Sequence, residues 1–535
     1  MPLPSIDLTL APQVVDGAAT GVHVRYQLRG LSLAAGDTLC RLPVVIVGVD
    51  GSKVAPGDLT ANDEAGPIPL THVQDEPTPS WTYRRWQLGR ATQGEIRVEY
   101  FAPVRVVDAA HTNGPLFDLR AEGAGVSGAG VSFLAIPECE GDFDTEVRWD
   151  LAGPAGDTRG VSNYGEGTVR RTAALESLTY TFYMAGELGS YPSVPDESFG
   201  MYWLSQPAFD TAQVGARIKR IYDDMCDFFR EPAPGHRVFV RKHPFRGGGG
   251  TALPRAFMFG WSEAQSRSVE ELTSLLAHET VHNWPTLQGE HSEISWYTEG
   301  TAEYYSLVLP HRTGLRDDDE FLDQLNKRAH GYYANPLQQL TFDEAARQYW
   351  KDWRAQRVPY GRGLFYFIDL NHKVRSSSGG SRGLDDLVLT VLDRQRAGQD
   401  VGMEEWLELV AAEIGAAGRT DFDAMLAGQR ILPAAQCLGP DFVADETDIR
   451  QLDLGFDYSS LTSAVVTGLV NEGVAASAGI REGDVILDGP TPHELAQGPV
   501  QEIVLTLRRA GDTLKVSYVP SSAWMTGRIW KKRPA

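Results

Sequence analysis

The stretch HETVHNW, residues 278–284, decides how this chain is read, together with WYTEGTAEYY at residues 296–305. Apolar residues recur at helical spacing from 269 to 284 and Pro285 ends the run, so HETVH lies inside a helix. His278 and His282 are four apart and project from one face about a turn from each other, where two imidazoles can share one metal ion. Glu279 lies about 100° round the same helix, beside the position such an ion leaves open, where it can take a proton from an attacking water. Taken alone, this pattern also arises by chance on an exposed helix. A hydrolytic zinc needs three protein ligands, and Glu299 follows His282 by seventeen residues in a second helical segment. Glu303 is one turn further, placed to accept a proton from the outer nitrogen of a ligand histidine and so fix its tautomer. Ala302, Tyr304 and Tyr305 make this segment too apolar for a merely solvated acidic face. The expectation is one Zn2+ per protomer on His278, His282 and Glu299, with Glu279 as general base.

Outward from this centre the pattern changes on both sides. A chain of 535 residues exceeds what one core supports, so several domains are expected. Up to about residue 170 the apolar residues alternate: Val24, Tyr26 and Leu28 share a side, as do Ile96, Val98 and Tyr100 against Arg97 and Glu99. That period of two, between Gly, Pro and Asp clusters, predicts a sandwich of short antiparallel strands over 1–170. Residues 123–130 are Gly-rich but lack the Lys-Ser/Thr of a phosphate loop and read as a loop or tight hairpin. Helical spacing is expected over 214–229, a strand over 237–242, a flexible glycine turn over 247–250 and another strand over 251–259. Residues 295–445 read as mostly helical, with Trp406, Leu409, Val410 and Ile414 on one face, and SSSGGSR at 376–382 as a loop. Beyond about 450, short strands and Gly-Asp turns predict a separate small β-rich module.

Composition excludes several classes. Apolar residues at 42% and charged ones at 22% are those of a globular chain, not a disordered one. A net charge of −22 opposes non-specific binding to nucleic acid or to anionic membrane. No apolar run is long enough to insert in a membrane. The N-terminal MPLPSIDLTLAPQ has neither the basic nor the apolar region of a secretory signal, so a cytoplasmic location is expected. Cys40, Cys139, Cys226 and Cys437 are scattered without CxxC pairing, which suggests buried thiols in a reducing compartment. His236, His243, His291 and His311 have no second partner at ligand spacing. The basic tail RIWKKR, residues 528–533, reads as a solvated end.

HExxH followed by a helix carrying W-x-x-E-G resembles the gluzincin metallopeptidases, whose third ligand is the Glu of the EG pair. Within them the chain is most similar to the M61 glycyl aminopeptidases, which join a β-rich N-terminal domain, a thermolysin-like catalytic domain and a C-terminal PDZ domain. HETVHNW matches the zinc helix of that family, Trp284 included. PYGRG at 359–363 resembles a motif whose tyrosine donates a hydrogen bond to the oxyanion, which assigns that role to Tyr360. DLGF at 453–456 and AASAGIREGDVIL at 475–487 are similar to a PDZ domain, with Asp453 in place of the usual first glycine of the carboxylate loop. The resemblance implies a multidomain α+β fold: an N-terminal β-sandwich (1–170), a thermolysin-like zinc lobe (171–310), a helical lobe completing the site (311–447) and a PDZ-like module (448–523). It implies a zinc aminopeptidase acting on peptides or proteins and releasing small N-terminal residues, with Gly249 and Gly250 against the substrate backbone. One departure stands out. Aminopeptidases of this type follow the glycine turn with a Glu that grips the substrate amine, and alignment on Gly249 and Gly250 puts Ala252 there. A reduced preference for free amines is therefore expected. Two alternatives stay open: an endopeptidase or altered-specificity enzyme on the same site, and a non-catalytic peptide-binding protein built around the PDZ-like module.

Overall fold

Ser5–Val15 and Ala18–Arg29 pair antiparallel across a turn in which Asp16 and Gly17 both take positive φ. Their alternate residues, among them Ile6, Leu8, Val24 and Tyr26, are buried, as the period of two requires. Ile96–Pro103 adds to the same seven-stranded sheet. Leu39, Leu42, Trp86 and Leu88 of a second, four-stranded sheet share its apolar core, which is the packing of a β-sandwich. The Gly-rich stretch is a tight hairpin, Arg120–Glu122 against Gly125–Ala129, turning at Gly123 with φ +60°. In this computed structural model the described residues are 3–534 except 47–48, 79–80, 109–110, 112–113, 153–156, 232–234, 246–248, 264–267 and 497. They form two compact units, Met1–Asn283 and Trp284–Ala535.

The first unit ends in a five-stranded sheet followed by a helix. Helix α1 (Thr211–Phe229) starts on Asp210, which accepts from the amides of Ala212 and Gln213. It links Phe199–Trp203 to the parallel strand β1 (His236–Lys242). β2 (Gly250–Leu253) and β3 (Ala256–Trp261) complete the sheet, with β3 parallel to β1 and β2 antiparallel to β3 at the edge. The single strand expected over 251–259 is thus a hairpin. Pro254 has no amide to donate, and Arg255 adopts φ +62°, so the chain reverses there. Of the glycine turn expected at 247–250, residues 247 and 248 lie outside the described residues. Helix α2 (Val269–Val281) opens with a capping box: Ser268 Oγ accepts from the Glu271 amide and Glu271 accepts from the Ser268 amide.

The second unit is helical at first: α3 (His291–Arg312), α4 (Asp318–Ala334) and α5 (Val358–Ser377), then Leu384–Arg396, Met403–Ile414 and Ala416–Leu426. A Cβ on Gly300 of α3 would sit 2.6 Å from the Cα of Gly363 in α5, so the two helices cross with backbone against backbone. Trp296, the first residue of W-x-x-E-G, is fully buried among Tyr366, Phe367, Trp406 and Phe422. After the helices comes β4 (Phe442–Gln451), which pairs antiparallel with the last strand, β5 (Ala523–Lys532).

That pairing corrects the reading of RIWKKR as a solvated end. Trp530 is 2% exposed and stacks on Phe365 of α5, 5.7 Å between centroids, and Asn326 of α4 exchanges two hydrogen bonds with its backbone. Between β4 and β5 the chain forms a three-stranded antiparallel sheet, Val485–Asp488, Ile503–Arg509 and Asp512–Tyr518. Leu454, Phe456, Val466, Ile480, Leu505 and Leu507 form its core. Cys40, Cys226 and Cys437 are buried, Cys139 is half-buried, and all four are free thiols. Among the described residues no helix is long and apolar enough to cross a membrane.

Candidate metal centre and active site

α2 ends one turn earlier than the sequence suggests, at Val281, yet His282 at its C-cap keeps helical angles (φ −59°, ψ −6°). The spacing of four therefore survives. The rings of His278 and His282 stand 5.0 Å apart at 82°. One ligand atom from each of His278, His282 and Glu299 lies within 4.8 Å of the others, with His278 and Glu299 buried and His282 half-buried. Donors around one zinc sit roughly 3.4 Å apart, so small side-chain adjustments would close this set on an ion. Two imidazoles and one carboxylate are also the donor chemistry of a hydrolytic zinc. The residues fit the metal.

Glu279 lies against bare backbone. A Cβ built on Gly250 would meet its Oε1 at 2.7 Å and its Cδ at 2.8 Å, so only glycine at this edge-strand position leaves the carboxylate where it is. Gly249 precedes it, its carbonyl accepting from the Gly260 amide at 3.0 Å. Ala252 is half-buried in β2. At the end of β1 the Lys242 amide donates to Glu122 Oε1 at 3.3 Å. Burial pushes its carboxyl up.

Glu303 stands one turn after Glu299, as the sequence predicts, but its two oxygens take guanidinium groups: Arg328 Nε donates to Oε2 at 2.6 Å and Arg357 Nη2 to Oε1 at 3.1 Å. Tyr360 lies in the first turn of α5, half-buried, with the Arg357 guanidinium 4.0 Å above its ring. Tyr349 is a buried neighbour of Tyr360. Its buried phenol is pushed up first by burial and then by the negative charge of Glu299, and it hydrogen-bonds with Tyr360. Tyr349, Arg328 and Arg357 escaped sequence reading because no spacing ties them to HETVH. The one available signal was the basic residue just ahead of PYGRG.

Residues 271–362 match the family described as M61 glycyl aminopeptidase. The M61 resemblance holds over this span. The matched span contains His278, Glu279, His282, Glu299, Glu303 and Tyr360. An aminopeptidase N family protein from Idiomarina loihiensis has a similar fold, with a TM-score of 0.67 over 99% of this chain and 98% of that one at 15% identity. A variant of an M1 zinc metallopeptidase from Deinococcus radiodurans, bound to a Tyr-Ser-Ala substrate, has a TM-score of 0.50 over 81% of this chain and 95% of its own at 18% identity. Likeness at such identities is one of fold, here a multidomain α+β fold of several sheets and helices. None of the curated proteins matches the chain.

Proposed function

We propose that this chain is a zinc-dependent peptidase, and within that class an aminopeptidase releasing small N-terminal residues such as glycine or alanine. The observation that carries the reading is the meeting of His278, His282 and Glu299 within 4.8 Å, on a span that matches an M61 peptidase. His278, His282 and Glu299 would hold the ion. Bound there, zinc supplies a Lewis acid for the scissile carbonyl and makes water acidic enough to ionise near neutral pH. Glu279 takes the proton from the attacking water and passes it to the leaving amine. Tyr360 donates to the oxygen on which negative charge develops. Among the described residues β2 is an edge strand paired with β3 alone, so its outer edge would receive an extended peptide by β-strand addition, with Gly249 and Gly250 allowing close approach. Glu303 would position the centre by accepting from a ligand histidine, while its arginines hold the carboxylate in place.

The domain limits 1–170, 171–310, 311–447 and 448–523 belong to the same reading, with the last as a PDZ-like module. Within that module Asp453 accepts from the Gly455 amide at 2.9 Å, occupying a donor that a peptide carboxylate would need. We therefore assign it no peptide capture. Ala252 favours a second reading, an endopeptidase on the same site, because it offers no carboxylate to a substrate amine.

Hydrolysis of glycyl and alanyl anilides tests the chemistry. Glu279→Gln should retain zinc and lose several powers of ten in kcat, since an amide cannot take the water's proton. Gly250→Ala meets only the end of a flexible side chain, so it should fold normally yet lower kcat by roughly 10- to 100-fold by displacing Glu279. Full activity in Glu279→Gln would assign the base elsewhere.

A further inference from the structure

We propose that Arg357 is a positioning residue for Tyr360: stacked on the phenol, it holds the ring in its donating orientation and adds positive charge beside the oxygen that the hydroxyl serves. This rests on the oxyanion role given to Tyr360 above. Three observations carry it. The guanidinium carbon lies 4.0 Å from the centroid of the Tyr360 ring, three residues away across the first turn of α5, within cation–π distance. The same guanidinium donates to Glu303 at 3.1 Å, which fixes its plane. Glu303 already has a closer partner in Arg328, at 2.6 Å and largely buried, so it does not need Arg357 for its own neutralisation. Arg328 and Arg357 both donate to Glu303, and the second guanidinium lies on the face of Tyr360.

Arg357 joins two helices, as the C-cap residue of Trp353–Gln356 and the N-cap residue of α5, so its backbone is fixed on both sides of the stacked side chain. A planar guanidinium stacked on an aromatic ring restrains both groups. Tyr360 is therefore held by its face, as an oxyanion donor must be if it is not to reorganise during reaction. A lysine could supply charge here but neither the stacking plane nor the fork to Glu303.

A double-mutant cycle on the full chain, read with an alanyl anilide, tests the proposal. Tyr360→Phe should lower kcat by about 10²–10³-fold. Arg357→Met should lower kcat about tenfold with KM within about twofold and zinc content unchanged, whereas added to Tyr360→Phe it should change kcat by less than about twofold. Arg357→Lys, which keeps a cation for Glu303 and guards against a folding defect, should fall between wild type and Arg357→Met. Equal losses on Arg357→Met in both backgrounds, or no loss beside an intact Tyr360, would overturn the proposal. An unchanged kcat in Tyr360→Phe alone would overturn the donor role itself, an outcome distinct from the first two.

Discussion

His236 is fully buried in β1, stacked on Tyr222 at 4.8 Å between centroids. Burial, and then the Arg237 cation, lower its pKa to about 3. In the unfolded chain an imidazole titrates near 6.5, so between those values the unfolded state binds the extra proton. The contribution of His236 to stability is therefore complete above about pH 6.5 and is lost as pH falls toward 3, a total on the order of 5 kcal/mol. His236→Phe, which keeps a stacked ring without a titrating group, should flatten the difference in melting temperature between pH 7 and pH 4 relative to wild type. An identical pH dependence in the variant would show that the imidazole is not what acid attacks. At this scale the sequence was informative wherever a role depends on local spacing. His278, His282, Glu279 and Glu299 come from two short segments, and the helical period already sets their faces. Glu303 shows the limit: its spacing from Glu299 was legible, but its partners Arg328 and Arg357 come from other helices, and nothing local announces them.

Helix α3 and helix α5 cross where neither has a side chain. A methyl on Gly300 would stand 2.6 Å from the Gly363 Cα, and one on Gly363 would stand 2.3 Å from the Trp296 carbonyl oxygen. The glycines of W-x-x-E-G and PYGRG are thus two halves of one contact, and they bring the helix of Glu299 beside the helix of Tyr360. Alanine favours helix by about 1 kcal/mol over glycine, but here backbone would have to move, at a cost of about 1–3 kcal/mol or more. Gly300→Ala should therefore lower the melting temperature by several degrees and reduce kcat as well, because Glu299 and Tyr360 ride on the displaced helices. Unchanged melting and kcat would mean that the helices are looser than the crossing implies. Elements with end signals were readable, as α2 is from its apolar spacing and Pro285, although it closes at Val281. The hairpin at Pro254 and Arg255 was not, because a left-handed arginine carries no glycine to mark it.

In the molecule as a whole, the C-terminal strand was the least legible part. β5 owes its burial to β4, some eighty positions earlier in the chain, and such non-local pairing leaves little trace in a sequence as charged as RIWKKR. The small module between these strands is an insertion in a hairpin, since Gln451 and Ala523 are register partners. Truncation after about residue 448 would strip β5 and uncover Phe365. Replacing residues 453–521 by a two-residue Asn-Gly turn removes the module and keeps the ladder. That excised protein should retain its zinc, with kcat within about tenfold of the intact chain, the reduction arising where Trp353 and Arg354 lose Tyr458 just ahead of Arg357. Loss of metal in a folded excised protein would show that the module helps build the centre. The central claim is the metal itself, and elemental analysis of the purified full chain beside His282→Ala and Glu299→Ala tests it most directly. The account predicts about one zinc per chain in the wild type and a large loss in each variant; stoichiometric metal in either variant, or a metal-free wild type that still hydrolyses the anilides, would contradict it.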